Sequence, residues 1–192
     1  MITPSVNIKY SRVYDNRFRT QNDYPDKDDV CSFLDYFRKS WIKKEKEILE
    51  TISKVSNLEW NENNIDIYIV GKTMPFSDPL TIEMTSEIDE AIDVTTHELI
   101  HRIWTYDDSG KKAYEYFADK YKKEDKSTIV HVPVIALHIE VMKEIFSKER
   151  INESIKRMNK IEGFKHIIKI IELEGSDKIV EEFTLELINY KT

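Results

Sequence analysis

The chain has 192 residues, of which 40% are apolar and 34% are charged, and its formal net charge at pH 7 is −7. This length predicts one domain over residues 1–192, long enough to bury a hydrophobic core. The acidic balance argues against a nucleic-acid-binding protein, because contacts with phosphate need a basic face and the lysines here are mixed with glutamates.

Cysteine content and hydropathy exclude further classes. Cys31 is the only cysteine, so neither an intramolecular disulfide nor a cysteine-based zinc site can form. No window approaches the roughly 20 apolar residues that a membrane span requires, and the first residues lack the apolar stretch of a signal peptide. We therefore expect a cytoplasmic protein without a membrane partner, and peptides or proteins as its partners.

The first part of the chain, residues 1–85, predicts a helix and a small sheet. Alternating apolar residues indicate strands, and apolar residues at steps of three, four and seven indicate one long amphipathic helix. The predicted elements are a strand at 6–14, a polar loop at 15–29, the helix at 30–56, and strands within 63–71 and 79–85.

The second part, residues 86–192, predicts helices almost throughout, so the fold class is α+β. A capping signal at Ser86 and a stripe of apolar residues favour a helix at 87–106, which the sequence "DDSG" ends. The later predicted helices are at 111–123, at 131–146 with Pro133 in the first turn, at 151–173 and at 177–189.

The helix at 87–106 carries the sequence "HELIH", residues 97–101. Residues four apart lie above one another on a helix, so His97 and His101 share one face, which points away from the apolar stripe through Leu99. Imidazole is a common zinc ligand, and Glu98 could act beside the metal as a base without binding it. The alternative is that two histidines share one helical turn by coincidence.

A helical hairpin would bring two more residues to this site. If residues 107–110 reverse the chain, positions equidistant from residue 108 lie opposite each other. Glu115 then lies level with His101, as a third zinc ligand, and Asp119 lies level with His97. A carboxylate at Asp119 could accept the second ring N–H of His97 and fix its tautomer.

"HELIH" followed by "EYFAD", residues 115–119, resembles the gluzincin branch of zinc metallopeptidases. The resemblance covers roughly residues 62–122 and implies a zincin-like fold, in which a small mixed sheet precedes the active-site helix. It implies zinc bound by His97, His101 and Glu115, with Glu98 as general base and Asp119 supporting His97. It also implies an edge strand that pairs with extended substrate, and residues 79–85 occupy the corresponding place.

Some roles stay open at the level of sequence. Glu140 is a rival third ligand, because it could reach the metal from a later helix. Gluzincins usually hold the developing oxyanion with a His or Tyr, and no motif here assigns that role. The candidate oxyanion stabilisers are His131 and His138, seven residues apart, and the tyrosines near the hairpin, Tyr106, Tyr114 and Tyr116. We interpret His166 as structural.

The sequence therefore predicts a zinc-dependent metallopeptidase that hydrolyses peptide bonds by a metal-activated water, with Glu98 as the base. The alternative is a catalytically silent zincin-like binding or regulatory module. A third reading is a helical interaction protein in which the motif is accidental. No pattern assigns the cleavage specificity, the oligomeric state, or the roles of the first 60 and last 70 residues.

Overall fold

The computed structural model of the chain describes residues 3–20, 23–107 and 109–191. It is an α+β protein in which a four-stranded mixed sheet is followed by a long helix and a mainly helical C-terminal part, which confirms the predicted fold class. The chain divides into two compact units. One contains the described residues up to Leu49 and Glu62–Arg102; the other contains Glu50–Asn61 and the described residues from Ile103 onward. The assignment of 1–192 to one domain stays a prediction.

The first unit contains the sheet, whose strands have the order β1-β2-β4-β3. β1 pairs with β2 and β2 with β4 in parallel, whereas β3 pairs antiparallel with β4. The strands are β1 (Ser5–Tyr10), β2 (Asn64–Val70), β3 (Phe76–Ser77) and β4 (Leu80–Glu83). The resemblance placed a substrate-pairing edge strand at 79–85, but the two residues of β3 lie outside β4 and form that edge.

Alternation along β2 gives the sheet one apolar face. Ile65, Ile67 and Ile69 are fully buried, and the register places Ile8 of β1 opposite Ile67 and Ile82 of β4 opposite Ile69. Side chains alternate between the two faces of a strand, so these residues share one face. The predicted strand at 63–71 is confirmed by this pattern.

Four helices begin in the first unit: α1 (Arg12–Asp15), α2 (Lys27–Trp41), α3 (Glu45–Ser56) and α4 (Ile88–Thr105). α2 packs against β1 and β2, and Arg38 donates two hydrogen bonds, at 2.6 and 3.1 Å, to the carbonyl oxygen of Ile8. That carbonyl lies on the edge strand β1, where the guanidinium satisfies it and blocks pairing with another strand.

The single long helix predicted at 30–56 is wrong, because α2 ends at Trp41 and α3 begins at Glu45. Trp41 and Ile48 are both buried, at 1% and 0% exposure, so the apolar step of seven spans the break between the helices. Ile42 lies in the break with 75% of its surface exposed. The first strand is also shorter than predicted, since β1 ends at Tyr10 and α1 follows within the predicted 6–14 range.

The second unit contains the later part of α3, the last residues of α4 and five further helices. These are α5 (Gly110–Lys120), α6 (Lys126–Ile145), α7 (Lys148–Met158), α8 (Phe164–Glu174) and α9 (Ser176–Lys191). α6 is the central helix of the unit and packs against α5, α7, α8 and α9. Its uniformly buried middle, from Val132 to Ile139, explains why its sequence shows no polar face.

Two predicted helix boundaries in this unit are wrong. α6 begins at Lys126, because the Asp125 side chain accepts a hydrogen bond from the Thr128 amide at 2.9 Å and caps the helix. Pro133 therefore lies inside α6 and not in its first turn. The helix predicted at 151–173 is two helices, α7 and α8, separated at Gly163, whose φ of 90° is incompatible with a continuing helix. No helix among the described residues is long and apolar enough to cross a membrane.

Candidate metal centre

α4 leaves one narrow stripe partly uncovered. Between Ala91 and Trp104 every residue is buried except Val94, His97 and His101. Steps of three and four place these three residues on a single helical face. The prediction that the two histidines face away from the apolar stripe of α4 agrees with this burial pattern.

The ring nitrogens of the histidine pair converge. Nε2 of His97 and Nε2 of His101 lie 3.2 Å apart. Two nitrogen ligands at the usual zinc distance of 2.0–2.1 Å, separated by a tetrahedral angle, lie about 3.4 Å apart. The observed separation therefore suits two ligands of one tetrahedral ion with little rearrangement.

His131, on α6, is oriented by its own helix. Its Nδ1 lies 2.8 Å from the carbonyl oxygen of Ser127, one turn earlier, and can donate its proton there. The ring also packs against Phe164, with ring centroids 5.1 Å apart. A hydrogen bond from Nδ1 leaves Nε2 as the lone-pair donor, the tautomer that metal-binding histidines use. Burial lowers the pKa of His131, which favours the neutral ring.

Three histidines form the group among the described residues that could hold a metal ion. One ligand atom each from His97, His101 and His131 lies within 4.8 Å of the others. The group follows a small mixed sheet and includes both histidines of "HELIH", so it is compatible with a zincin-like site. Three imidazoles with an open fourth position form a donor set found in catalytic zinc sites.

Glu98 follows His97 on α4 and is only 7% exposed. Its carboxylate makes no hydrogen bond or ion pair with another described residue. Burial without a charged partner raises the pKa of Glu98 to about 7. A carboxylate in this state can accept and release a proton near neutral pH.

Arg102 follows the histidine pair and ties α4 to the sheet edge. Its Nε and Nη2 each donate to one oxygen of the Glu62 carboxylate at 2.6 Å, and Nη1 donates to the Ser77 carbonyl of β3 at 2.7 Å. Such two-pronged pairs fix orientation as well as distance. Sequence reasoning missed Arg102, although its position directly after the second histidine was visible.

The structure does not include Glu115 or Asp119 in the histidine group. Ala113 and Phe117 form the buried face of α5, and Glu115 and Asp119 lie on its exposed side. Glu115 pairs with Lys112 at 2.8 Å, which lowers its pKa, and Asp119 is 84% exposed beside Lys122. Their metal-site roles stay predictions, and Asp108, the predicted centre of the hairpin, lies outside the described residues.

The other candidates have partners or positions of their own. Glu140 accepts hydrogen bonds from Ser176 at 2.5 Å and Lys143 at 2.7 Å. His138 is 2% exposed within α6, and His166 pairs with Glu124 at 2.9 Å, in line with a structural role. Tyr106 is 40% exposed, and Tyr114 and Tyr116 are half-buried. No oxyanion stabiliser is assigned by these contacts.

The sequence suggests His131 only as a candidate oxyanion stabiliser. The local signal in the sequence bears on the ring tautomer of His131 and does not place the ring near the other two histidines. Asp125 is a good N-cap residue, and a helix starting there places the Ser127 carbonyl one turn before His131. That arrangement presets the tautomer required of a ligand.

No protein-family model, no curated protein and no solved structure matches this chain. The residues and geometry of the site itself are therefore the basis for a function.

Proposed function

We propose that the chain is a zinc-dependent peptidase in which His97, His101 and His131 bind the metal and Glu98 is the general base. The observation that carries the proposal is the convergence of three histidine ring nitrogens within 4.8 Å, with a buried glutamate that directly follows His97 and has no hydrogen bond or ion pair to another described residue. The resemblance of "HELIH" to zinc metallopeptidases supports the same chemistry.

The donor set supports zinc. Imidazole is a good ligand for zinc, as it is for copper, iron and nickel, and three neutral rings would leave a position for water or substrate. When bound, zinc would polarise the scissile carbonyl and make water a stronger acid. His131 would bind the metal through Nε2, because its Nδ1 lies 2.8 Å from the Ser127 carbonyl oxygen and can donate its proton there.

Glu98 supplies the proton transfers. One oxygen of its carboxylate takes a proton from the attacking water as the water oxygen bonds to the peptide carbon. The same oxygen then delivers that proton to the leaving amine nitrogen as the C–N bond breaks, so no Ser or Cys nucleophile is required. The substrate class that we propose is a peptide or an unfolded protein segment.

Zinc content and hydrolysis test the proposal directly. The protein, purified without chelators, should hold about one equivalent of zinc by elemental analysis and should cleave fluorescently labelled unfolded casein. Glu98→Gln keeps the size of the side chain and removes its basicity. It should keep the zinc and lose activity by about 100- to 10,000-fold, the usual contribution of a general base.

The other outcomes identify the competing functions. Zinc at one equivalent with wild type and Glu98→Gln equally inert on casein would identify a silent binding module. Absence of zinc, combined with failure of added zinc to bind, would mean that the histidines share the site by coincidence. Removal of zinc with 1,10-phenanthroline, but not with the non-chelating 1,7 isomer, should abolish activity.

A further inference from the structure

Glu98 and Arg102 lie four residues apart on α4, both buried, at 7% and 9% exposure. A glutamate four residues before an arginine is the favoured arrangement for an ion pair along a helix. Burial would strengthen such a pair, because the surrounding dielectric constant is low. Helical spacing and burial together would therefore favour an ion pair between Arg102 and Glu98.

The Arg102 guanidinium is engaged elsewhere. Glu62 binds its Nε and Nη2 at 2.6 Å each, and Nη1 contacts the Ser77 carbonyl at 2.7 Å and an Asp78 carboxylate oxygen at 3.5 Å. Glu62 lies between α3 and β2, in the same unit as Arg102, and its side chain is 22% exposed. Nε and Nη2 thus form a bidentate ion pair with the two carboxylate oxygens of Glu62.

We propose that Glu62 is a positioning residue that holds Arg102 away from Glu98 and so keeps the Glu98 carboxylate free to act as a base. The inference rests on the proposed peptidase function. In this proposal Glu62 acts through Arg102, which it contacts at 2.6 Å, and not on the substrate or the metal. Glu62 gives Arg102 a better carboxylate partner than Glu98, which lies one turn earlier on α4.

A merely structural role for the Glu62–Arg102 pair predicts different behaviour. If the pair only fastens α4 to the sheet edge, removing either partner damages the site and removing both damages it at least as much. If Glu62 restrains Arg102, the damage from losing Glu62 requires the arginine to be present. A double-mutant cycle separates these cases.

The test compares Glu62→Ala, Arg102→Met and the double variant, each loaded with zinc and assayed on labelled casein. In Glu62→Ala, Arg102 should turn to Glu98, and kcat should fall at least about 10-fold, part of the contribution of a general base. The double variant should recover most of that loss, because methionine fills the space of the arginine stem without its charge. Zinc stoichiometry should stay at one equivalent in all three.

Asp78→Asn is the matched control, because it removes a carboxylate that contacts the same guanidinium at 3.5 Å and is 61% exposed. Its kcat should stay within about 2-fold of wild type, as for other weak surface ion pairs. Glu62→Gln, alone and with Arg102→Met, provides the same cycle if Glu62→Ala does not fold.

Wild-type activity in Glu62→Ala, or a double variant as slow as the single one, would overturn the inference. An inert wild-type enzyme would instead overturn the proposed function, so the two failures are distinguishable.

Discussion

Nδ1 of His131 lies 2.8 Å from the carbonyl oxygen of Ser127, one turn earlier in the same helix. The hydrogen bond commits one ring nitrogen and leaves the other for a metal, so the helix that carries His131 also orients it. Glu115, the third ligand that the sequence predicts, pairs instead with Lys112 and is 48% exposed. His131 and Glu115 are therefore the competing candidates for the third ligand.

We expect His131→Ala to weaken zinc binding by more than about 100-fold, because loss of a ligand exceeds the 10- to 100-fold cost of losing a supporting residue. Glu115→Ala should change zinc affinity less than about 2-fold. Competition with a chromogenic chelator measures both. His166→Ala is the control, since it removes a histidine that is 54% exposed and paired with Glu124. The reverse ranking of His131 and Glu115 would restore the ligand set that the resemblance implies.

Asp119→Asn provides an independent check on the hairpin register. If the Asp119 carboxylate supports His97, its removal should lower zinc affinity by about 10- to 100-fold. Because the Asp119 side chain is 84% exposed and lies beside Lys122, we expect Asp119→Asn to have no measurable effect on zinc affinity. A large loss in the same chelator competition would show that α5 presents this residue to the metal when zinc is bound.

Much of the fold was predictable, because periodicity reports which face of an element is buried. The alternation of β2 and the boundaries of α4 follow from the sequence. The break between α2 and α3 does not, since Trp41 and Ile48 preserve the apolar spacing across it and neither glycine nor proline marks it. The spacing of apolar residues reports which positions are buried, and here the buried positions continue at helical spacing across the turn between α2 and α3.

The site was predictable only in part, for a related reason. His97, Glu98 and His101 lie within one helical turn, so their relation is local and the sequence fixes it. A third ligand would come from a distant element, and the choice among His131, Glu115 and Glu140 depends on packing that no local pattern encodes. The diversion of Arg102 to Glu62 is similarly non-local, because helical spacing favours Glu98.

Tyr24 should give the first unit a distinctive response to alkaline pH. Its hydroxyl donates to the buried carboxylate of Asp15 at 2.5 Å, and the pKa of Tyr24 rises to about 12 through burial first and this hydrogen bond second. Because folding raises the pKa of Tyr24, the protonated hydroxyl stabilises the folded state fully below pH about 10, the pKa of tyrosine in the unfolded chain. This stabilisation is lost as the pH rises to about 12.

Tyr24→Phe should therefore lower the free energy of unfolding by about 1.5–3 kcal/mol at pH 8, the usual value of a hydrogen bond to a charged group. The difference from wild type should shrink between pH 10 and 12, as measured by urea unfolding. Tyr36→Phe, at a position 63% exposed, should differ from wild type by less than about 0.5 kcal/mol. A constant difference across this pH range would mean that Tyr24 does not titrate with the raised pKa.

Gly110, at the start of α5, lies in close contact with Trp104, near the end of the histidine helix α4. The indole nitrogen of Trp104 donates to the Gly110 carbonyl at 2.7 Å, and a Cβ at Gly110 would lie 2.4 Å from Cδ1 of that indole and 2.5 Å from the Trp104 carbonyl oxygen. Because one of these atoms belongs to the backbone, a side-chain rotation alone cannot relieve the clash. The glycine is needed here for close packing, and not for an unusual φ.

We expect Gly110→Ala to lower the free energy of unfolding by about 1–3 kcal/mol, the typical cost of overpacking a buried position. Lys111→Ala, at the exposed neighbouring residue, should change it by less than about 0.5 kcal/mol. Urea unfolding followed by the fluorescence of the three tryptophans measures both variants. His97 and His101 lie earlier on α4, and their relation is local to that helix. We therefore expect Gly110→Ala to reduce the free energy of zinc binding by less than it reduces the free energy of unfolding. A neutral Gly110→Ala would contradict the close approach of Trp104.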